Sequence, residues 1–310
     1  MLRAGLLWLS EQPTVFRFVR SNGLARRFAS RFVAGETIDT AIAALRELNT
    51  ARISASLDLL GESVSSAAEA RAARDTYLAL LDRIHAAGAD ANVSVKLTQM
   101  GLDIDQALCV ENLSAIIARA AQHQSFVRID MEGSAYTERT LQLFRESFFP
   151  RFSGAVGVVL QSYLRRTEQD VDAMIAAGAR VRLCKGAYQE PATVAYPKKA
   201  DVDANYIECM ERLLLRGRYP GLATHDERII AHAKAFARKN AIEPARFEFQ
   251  MLYGVRRDLQ TAIRAEGWNL RVYVPFGTHW YPYLMRRLAE RPANITFILG
   301  NVIKESLRRN

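Results

Sequence analysis

Residues 156–190 read VGVVLQSYLRRTEQDVDAMIAAGARVRLCKGAYQE. An apolar, β-branched run at 156–161 ends on Gln161. A helical stretch follows over 167–177, and a second strand-like run at 180–184 carries Arg182 and leads into Lys185. No hairpin dipeptide separates the two runs, and the connection is long enough for a crossover helix. Strand, helix, strand is the repeating unit of a parallel sheet.

The same alternation extends in both directions. Further strands are predicted at 53–60, 92–97, 126–131, 221–225, 246–251 and 270–274. Helices are predicted at 65–87, 105–122, 137–148, 200–216, 226–239, 255–266 and 278–290. Eight successive units predict an α/β fold closed into a (β/α)8 barrel, with an open doubly wound sheet as the alternative. Residues 1–50 read as an N-terminal helical extension, with Ile38, Ile42, Leu45 and Leu48 near helical spacing behind Thr37 as cap. Without a Pro/Ser-rich linker, 51–310 reads as one barrel domain.

Seven of the strands end on residues that are out of place in an apolar run: Lys96, Asp130, Gln161, Arg182 with Lys185, His225, Gln250 and Tyr273. The first, ending near Leu60 and Gly61, carries no candidate. Burying such groups is costly unless they meet partners or a ligand. In parallel α/β folds the carboxyl ends of the strands are where ligands bind. Alternation also puts Ser94 with Lys96, Arg128 with Asp130 and Glu132, Arg180 with Arg182, and Glu248 with Gln250 on inward faces. A buried structural ion network is the plain reading of that set; a ligand site built over one accounts for more of it.

The 310 residues are 49% hydrophobic, enough for a large core, and no apolar run reaches the ~18 residues of a membrane span. The opening MLRAGLLWLSEQP has no convincing cleavage site, so a secretion signal is not expected. Three scattered cysteines suit neither a disulfide framework nor a zinc site. The net charge of +9 admits anionic partners, but no nucleic-acid motif accompanies it. GxGxxG, the P-loop, HExxH and GxSxG are all absent, and no metal is expected. His225 and His232 lie seven apart, a poor metal spacing, while His85, His123 and His279 look isolated. On the helix over 278–290, Tyr283, Arg286, Arg287 and Glu290 share one arc, opposite Tyr281, Leu284 and Leu288. That arc is either a solvated face or, if the helix lies across the barrel mouth, a grip for a carboxylate.

Ten stretches, taken together, resemble the proline dehydrogenase family of flavin enzymes. They are FVAGETIDTA near residue 32, SLDLLGE at 56–62, NVSVKLTQMG at 92–101, VRIDMEG at 127–133, LQSYLRR at 160–166, VRLCKGAYQE at 181–190, LATHD at 222–226, FEFQMLYG at 247–254, VYVPFG at 272–277 and YLMRRLAE at 283–290. The size is similar to that of the single-function bacterial form. The resemblance implies a distorted TIM-like barrel holding non-covalent FAD, with the eighth helix over the mouth. It implies oxidation of L-proline to 1-pyrroline-5-carboxylate by hydride transfer to the flavin, the first step of proline catabolism, with electrons passed to a quinone.

Residue by residue, the resemblance implies that Arg286, Arg287 and Lys96 bind the substrate carboxylate and that Glu290 orients the arginine pair. Asp130 would hold Lys96 and contribute to catalysis, and Tyr273, Tyr283 and Leu252 would enclose the substrate ring. Arg182 would stabilise negative charge on the flavin. Gln161, Lys185, Gly186, Ala187, Tyr188, Thr224, His225 and Gln250 would contact the cofactor, with Met131 packed nearby. Gly186 would let the cofactor approach the backbone closely. Gln189 stands where some relatives carry an aromatic, which leaves no flavin-stacking role for it. The basic start, with Arg17, Arg20, Arg26, Arg27 and Arg31, reads as a peripheral contact to an anionic membrane or as a solvated or core-packing helix. The sparse cysteines make a reducing, cytoplasmic compartment the expectation, with a peripheral place at the inner membrane face if the first of these holds. Two rivals remain at this stage: a Schiff-base aldolase using Lys96, and a non-catalytic barrel binding an anionic metabolite.

Overall fold

The computed structural model describes residues 29–290, without the side chains of 286–290. Eight parallel strands close into a barrel in sequence order: β1 Ser54–Leu59, β2 Ala91–Val95, β3 Val127–Ile129, β4 Val156–Gln161, β5 Arg180–Cys184, β6 Gly221–Ala223, β7 Glu248–Leu252 and β8 Leu270–Phe276. Pairing of β1 with β8, from Ser54 opposite Arg271 to Leu59 opposite Phe276, closes the ring and rules out the open sheet.

Each strand sits where the alternation predicts. The outward side chains Leu57, Val93, Val95, Ile129, Val158, Val181, Leu183 and Phe249 are completely buried under the helices. Those helices are α1 Ile38–Thr50, α2 Ala67–Ala86, α3 Gln106–Gln122, α4 Ser134–Leu143, α5 Phe149–Phe152, α6 Thr167–Ala176, α7 Lys199–Arg216, α8 Glu227–Lys239, α9 Arg257–Ala265 and α10 Trp280–Glu290. A π-helical turn, Phe144–Phe148, links α4 to α5 and turns both phenylalanines inward. The helix predicted at 137–148 is thus helical throughout, α4 followed by the π-helical turn, and α5 extends it beyond the predicted end.

Thr37 caps α1 as predicted, in a reciprocal pair with Thr40. α1 packs on β1 and β8, with Ala41, Ile42 and Leu45 in the main core. The segment before it is tied to the end of β8: Ala34 N–H donates to Pro275 O, and Gly277 N–H donates to Gly35 O. The first turns of α10 bury Trp280, Tyr281, Tyr283 and Leu284 against Ala29, Val33 and Leu60. Both sides of this part of α10 are covered, so the division into a polar and an apolar arc does not hold at Tyr283. Residues 1–28, which include most of the basic opening, lie outside the described residues. Among the described helices none is long and apolar enough to cross a membrane.

The barrel floor holds a buried polar network. Glu248 accepts from Arg271 Nε at 2.8 Å, from Gln250 Nε2 at 2.6 Å and from Tyr219 Oη at 3.2 Å. Arg128 is 1% exposed and has no carboxylate partner; it donates to the carbonyls of Val158 and Arg180. Gly157 makes room for it, since a Cβ there would collide with the Arg128 guanidinium and the Arg180 carbonyl. Part of the inward polar set is thus the structural network that the plain reading expected.

Candidate active site

Above the floor, a cavity of about 940 Å³ opens at the carboxyl ends of the strands. Its lining includes Lys96, Asp130, Gln161, Arg182, His225, Gln250 and Tyr273, the polar strand ends singled out from the sequence. Met131, Lys185, Gly186, Ala187, Tyr188, Thr224, Leu252 and Tyr283 line it too. Arg286, Arg287 and Glu290 fall on α10, but their side chains lie outside the described residues.

The pairing inside the cavity differs from the expected one. Lys96 Nζ contacts Asp58 Oδ1 at 3.0 Å. Asp130 instead accepts from Arg182 Nη1 at 2.8 Å and from Tyr273 Oη at 2.8 Å. Asp130 therefore does not hold Lys96; it braces β5 and β8, which reach it across the barrel. Asp58 is the residue that the sequence reading missed. It is 1% exposed, lines the cavity and gives β1 a site residue after all. The signal was present: Ser56 and Asp58 alternate with Leu57 and Leu59, and Ser56 Oγ meets Ser94 Oγ inside the barrel at 3.0 Å.

Burial alone would lower the Lys96 ammonium, but the Asp58 and Asp130 carboxylates overcome it and hold the group well above the ordinary lysine value. A Schiff-base lysine needs the opposite shift, so that its amine is free at neutral pH. An ammonium held in an ion pair with Asp58 does not favour the aldolase reading. Burial likewise pushes the Tyr273 phenol far up, with Asp130 adding to it, so Tyr273 stays protonated and donates.

Arg182 spends its donors inside the barrel. Nε donates to Gln250 Oε1, Nη1 to Asp130, and Nη2 to Ser94 Oγ at 3.1 Å and Ser56 Oγ at 3.4 Å. Its guanidinium carbon lies 5.2 Å from the centre of the Tyr273 ring. One fixed positive charge is thereby locked in the wall of the cavity by three other strands and by Asp130 just beyond β3. Gln250 relays that network to the floor, since its amide nitrogen donates to Glu248.

Other expected contacts are held by the protein itself. Lys185 Nζ pairs with Asp203 at 2.5 Å and Asp226 at 3.1 Å. Asp226 also caps α8, and Thr224 Oγ1 accepts from its backbone N–H at 3.1 Å. His225 Nε2 accepts from Leu252 N–H at 3.0 Å, which fixes the end of β7. Gln161 is different. Its Nε2 donates to Met131 O at 3.2 Å, while its buried Oε1 has no protein partner. An orphaned buried acceptor on a residue that lines the cavity is a candidate for a donor on a ligand.

Gly186 turns out to be required by the fold. Its φ is +106°, and a Cβ would collide with Cδ1 of the Tyr163 ring. The expected reason, room for the cofactor, is not the one the geometry gives. Gly186→Ala is expected to destabilise by more than about 1 kcal/mol, checked as a fall in Tm. Nor are the histidines isolated as expected. His85 and His123 stack at 4.2 Å, with His123 on Asp82 at 2.7 Å, and His279 lines the cavity.

A closed parallel barrel with a charged cavity at its strand ends defines the chain as an α/β-barrel enzyme. Comparison with known proteins narrows this. The family model described as "Proline dehydrogenase" matches residues 41–299. A Deinococcus radiodurans protein named "Proline dehydrogenase" is 42% identical over 98% of both chains. "Proline dehydrogenase 2" of Bacillus subtilis is 41% identical over 92% of this chain and 95% of its own. A solved proline utilization A (PutA) from Bdellovibrio bacteriovorus, inactivated by N-propargylglycine, superposes with a TM-score of 0.81 at 27% identity. That match covers 90% of this chain and 34% of the PutA chain. The chain belongs to the proline dehydrogenase family and is an oxidoreductase.

Proposed function

We propose that the protein oxidises L-proline to 1-pyrroline-5-carboxylate with non-covalently held FAD, and that the electrons pass on to a quinone. The observation that carries this reading is the partition of one cavity. Lys96, Asp58, Asp130 and Tyr273 occupy one side; Gln161, Lys185, Thr224 and His225 occupy the other. The second group fits a flavin on two counts. The orphaned Gln161 Oε1 is an acceptor suited to a ring N–H. The Lys185 ammonium pairs with Asp203 and Asp226 beside the start of α8 and keeps a third donor suited to a pyrophosphate.

When bound, the flavin supplies the acceptor for the hydride from C5 of proline. The chain's own groups do the rest. Lys96, kept protonated by Asp58 and Asp130, offers a permanent positive charge to the substrate carboxylate. Arg286 and Arg287 complete that grip, Glu290 orients them, and Tyr273, Tyr283 and Leu252 enclose the ring. Arg182 holds its charge beside the acceptor, where negative charge accumulates on reduction. Asp130 keeps Arg182 and Tyr273 in register. The domain reading follows the same lines, with 51–310 as the catalytic barrel and 1–50 as an extension that brings the basic opening to an anionic membrane surface holding the quinone.

The absorbance spectrum of the purified protein is the direct test. Flavin bands that bleach on adding L-proline are expected; a colourless protein that FAD cannot reconstitute would overturn the reading. Arg286→Ala and Arg287→Ala should each raise the KM for proline roughly ten- to a hundredfold, the ~1.5–3 kcal/mol of a charge-assisted contact, with flavin retained. An unchanged KM in both variants would remove the carboxylate role.

A further inference from the structure

Glu190 does not line the cavity and has no part in the chemistry above, yet it joins the two loops that matter most to it. The β3–α4 connection carries Asp130 and Met131 and enters α4 at Ser134, with Gly133 as its cap residue. Gly133 has no side chain, so α4 starts without a cap of its own, and its first N–H groups need an acceptor from elsewhere. Glu190, fifty-six residues further on, provides it: Oε1 accepts from Ser134 N–H at 2.7 Å, and Oε2 accepts from Ser134 Oγ. A carboxylate at this helix end also complements the helix dipole.

The other side of the contact is the β5–α7 loop. Its start is pinned where Tyr163 N–H donates to Lys185 O at 2.8 Å, and further along Tyr196 N–H donates to Tyr163 O at 2.8 Å. Gly186, Ala187 and Tyr188, the part of this loop that walls the cavity, hang between the Lys185 anchor and Glu190. Tyr163 touches both ends. Its ring lies on Gly186, and its hydroxyl donates to Glu190 Oε1 at 3.4 Å.

We propose that Glu190 is a positioning residue. By capping α4 across the barrel top it clasps the β5 loop to the β3 loop, and so sets the wall formed by residues 186–188 relative to Asp130. Its effect on catalysis rests on the function proposed above; the clasp itself does not.

The test uses the purified full chain and the variants E190A, E190Q, S134A and E190A/S134A. Glutamine can keep both contacts, its carbonyl accepting from Ser134 N–H and its amide donating to Ser134 Oγ. Hydrogen exchange should show the amides of 185–190 and 134–137 exchanging about fivefold faster in E190A, at the ~1 kcal/mol scale of a lost cap, and near wild type in E190Q. E190A should release flavin about tenfold faster and lose kcat more than it changes the KM for proline, with E190Q rescuing both. The double variant should be no worse than E190A alone. Wild-type exchange over both segments in E190A, or an E190Q protein as impaired as E190A, would overturn the clasp. Altered exchange with unchanged flavin release and kcat would overturn its positioning role. A wild-type protein that binds no flavin would defeat the proposed function alone, because the exchange arm still decides the clasp.

Discussion

Arg182→Met is expected to lower kcat with L-proline by about 10²–10³, the loss seen when a fixed group aimed at developing charge is removed. The substitution also strands Asp130, which is 13% exposed at its side chain and would keep only Tyr273 as donor. Breaking a buried pair in this way costs about 3–5 kcal/mol, so flavin content and Tm must be read alongside turnover. Arg182→Lys separates the two effects. It keeps the charge but cannot reach Gln250, Asp130, Ser94 and Ser56 together. Partial recovery of kcat with a Tm still depressed would place the charge in the chemistry and the fork in the scaffold. A kcat within twofold of wild type in Arg182→Met, at full flavin content, would remove Arg182 from the reaction.

Glu248→Gln should be the most destabilising single change on the barrel floor. Its carboxylate, 3% exposed, is the acceptor for Arg271, Gln250 and Tyr219 together. Glutamine leaves the buried Arg271 with only the more distant Asp90 carboxylate, 3.9 Å away, as a charge partner, at a cost of about 3–5 kcal/mol. At ~2 °C per kcal/mol for a large domain, Tm should fall by about 6–10 °C. The pH dependence has a definite sign. Burial pushes the Glu248 carboxyl up, but Arg271 and its hydrogen bonds outweigh burial and leave it below the ordinary glutamate value of 4.5. A carboxyl depressed on folding stabilises fully above its unfolded value and loses that contribution as pH falls through the folded one. Melting curves of the wild type and the variant should therefore differ fully above pH 4.5 and converge in more acid solution. A constant difference across that range would show that packing, not charge, sets the loss.

Much of this architecture was legible in the chain. The alternation of Val127, Ile129, Val181, Leu183 and Phe249 with polar partners marks the strands, and the polar termini line the cavity, Arg182 by strand parity and Lys185 from the loop beyond β5. Asp58 escaped because its strand was judged by its last letters, Leu60 and Gly61, and not by the alternation beginning at Ser56. The partner of Lys96 escaped for a different reason. Val95 lies opposite Ile129, which places Lys96 level with Asp130 on the neighbouring strand. What redirects it is Arg182, reaching Asp130 through the barrel interior from β5. Parity along one strand carries no information about which side chain crosses the ring to meet it. The role of Gly186 was likewise hidden, since the Tyr163 ring that excludes a Cβ comes from another loop.

The seam between β1 and β8 has a consequence for how the molecule is made. α1 docks on β8, a strand that begins at Leu270, and the backbone of Ala34 and Gly35 waits for Pro275 and Gly277. The surface that covers α1 is synthesised about 220 residues after α1 itself, roughly 10–45 s later at 5–20 residues per second. Until then Ile42 and Leu45 have half a partner, and the nascent barrel is an open, sticky sheet with two bare edges. The contacts that close the barrel are therefore among the last the chain can make.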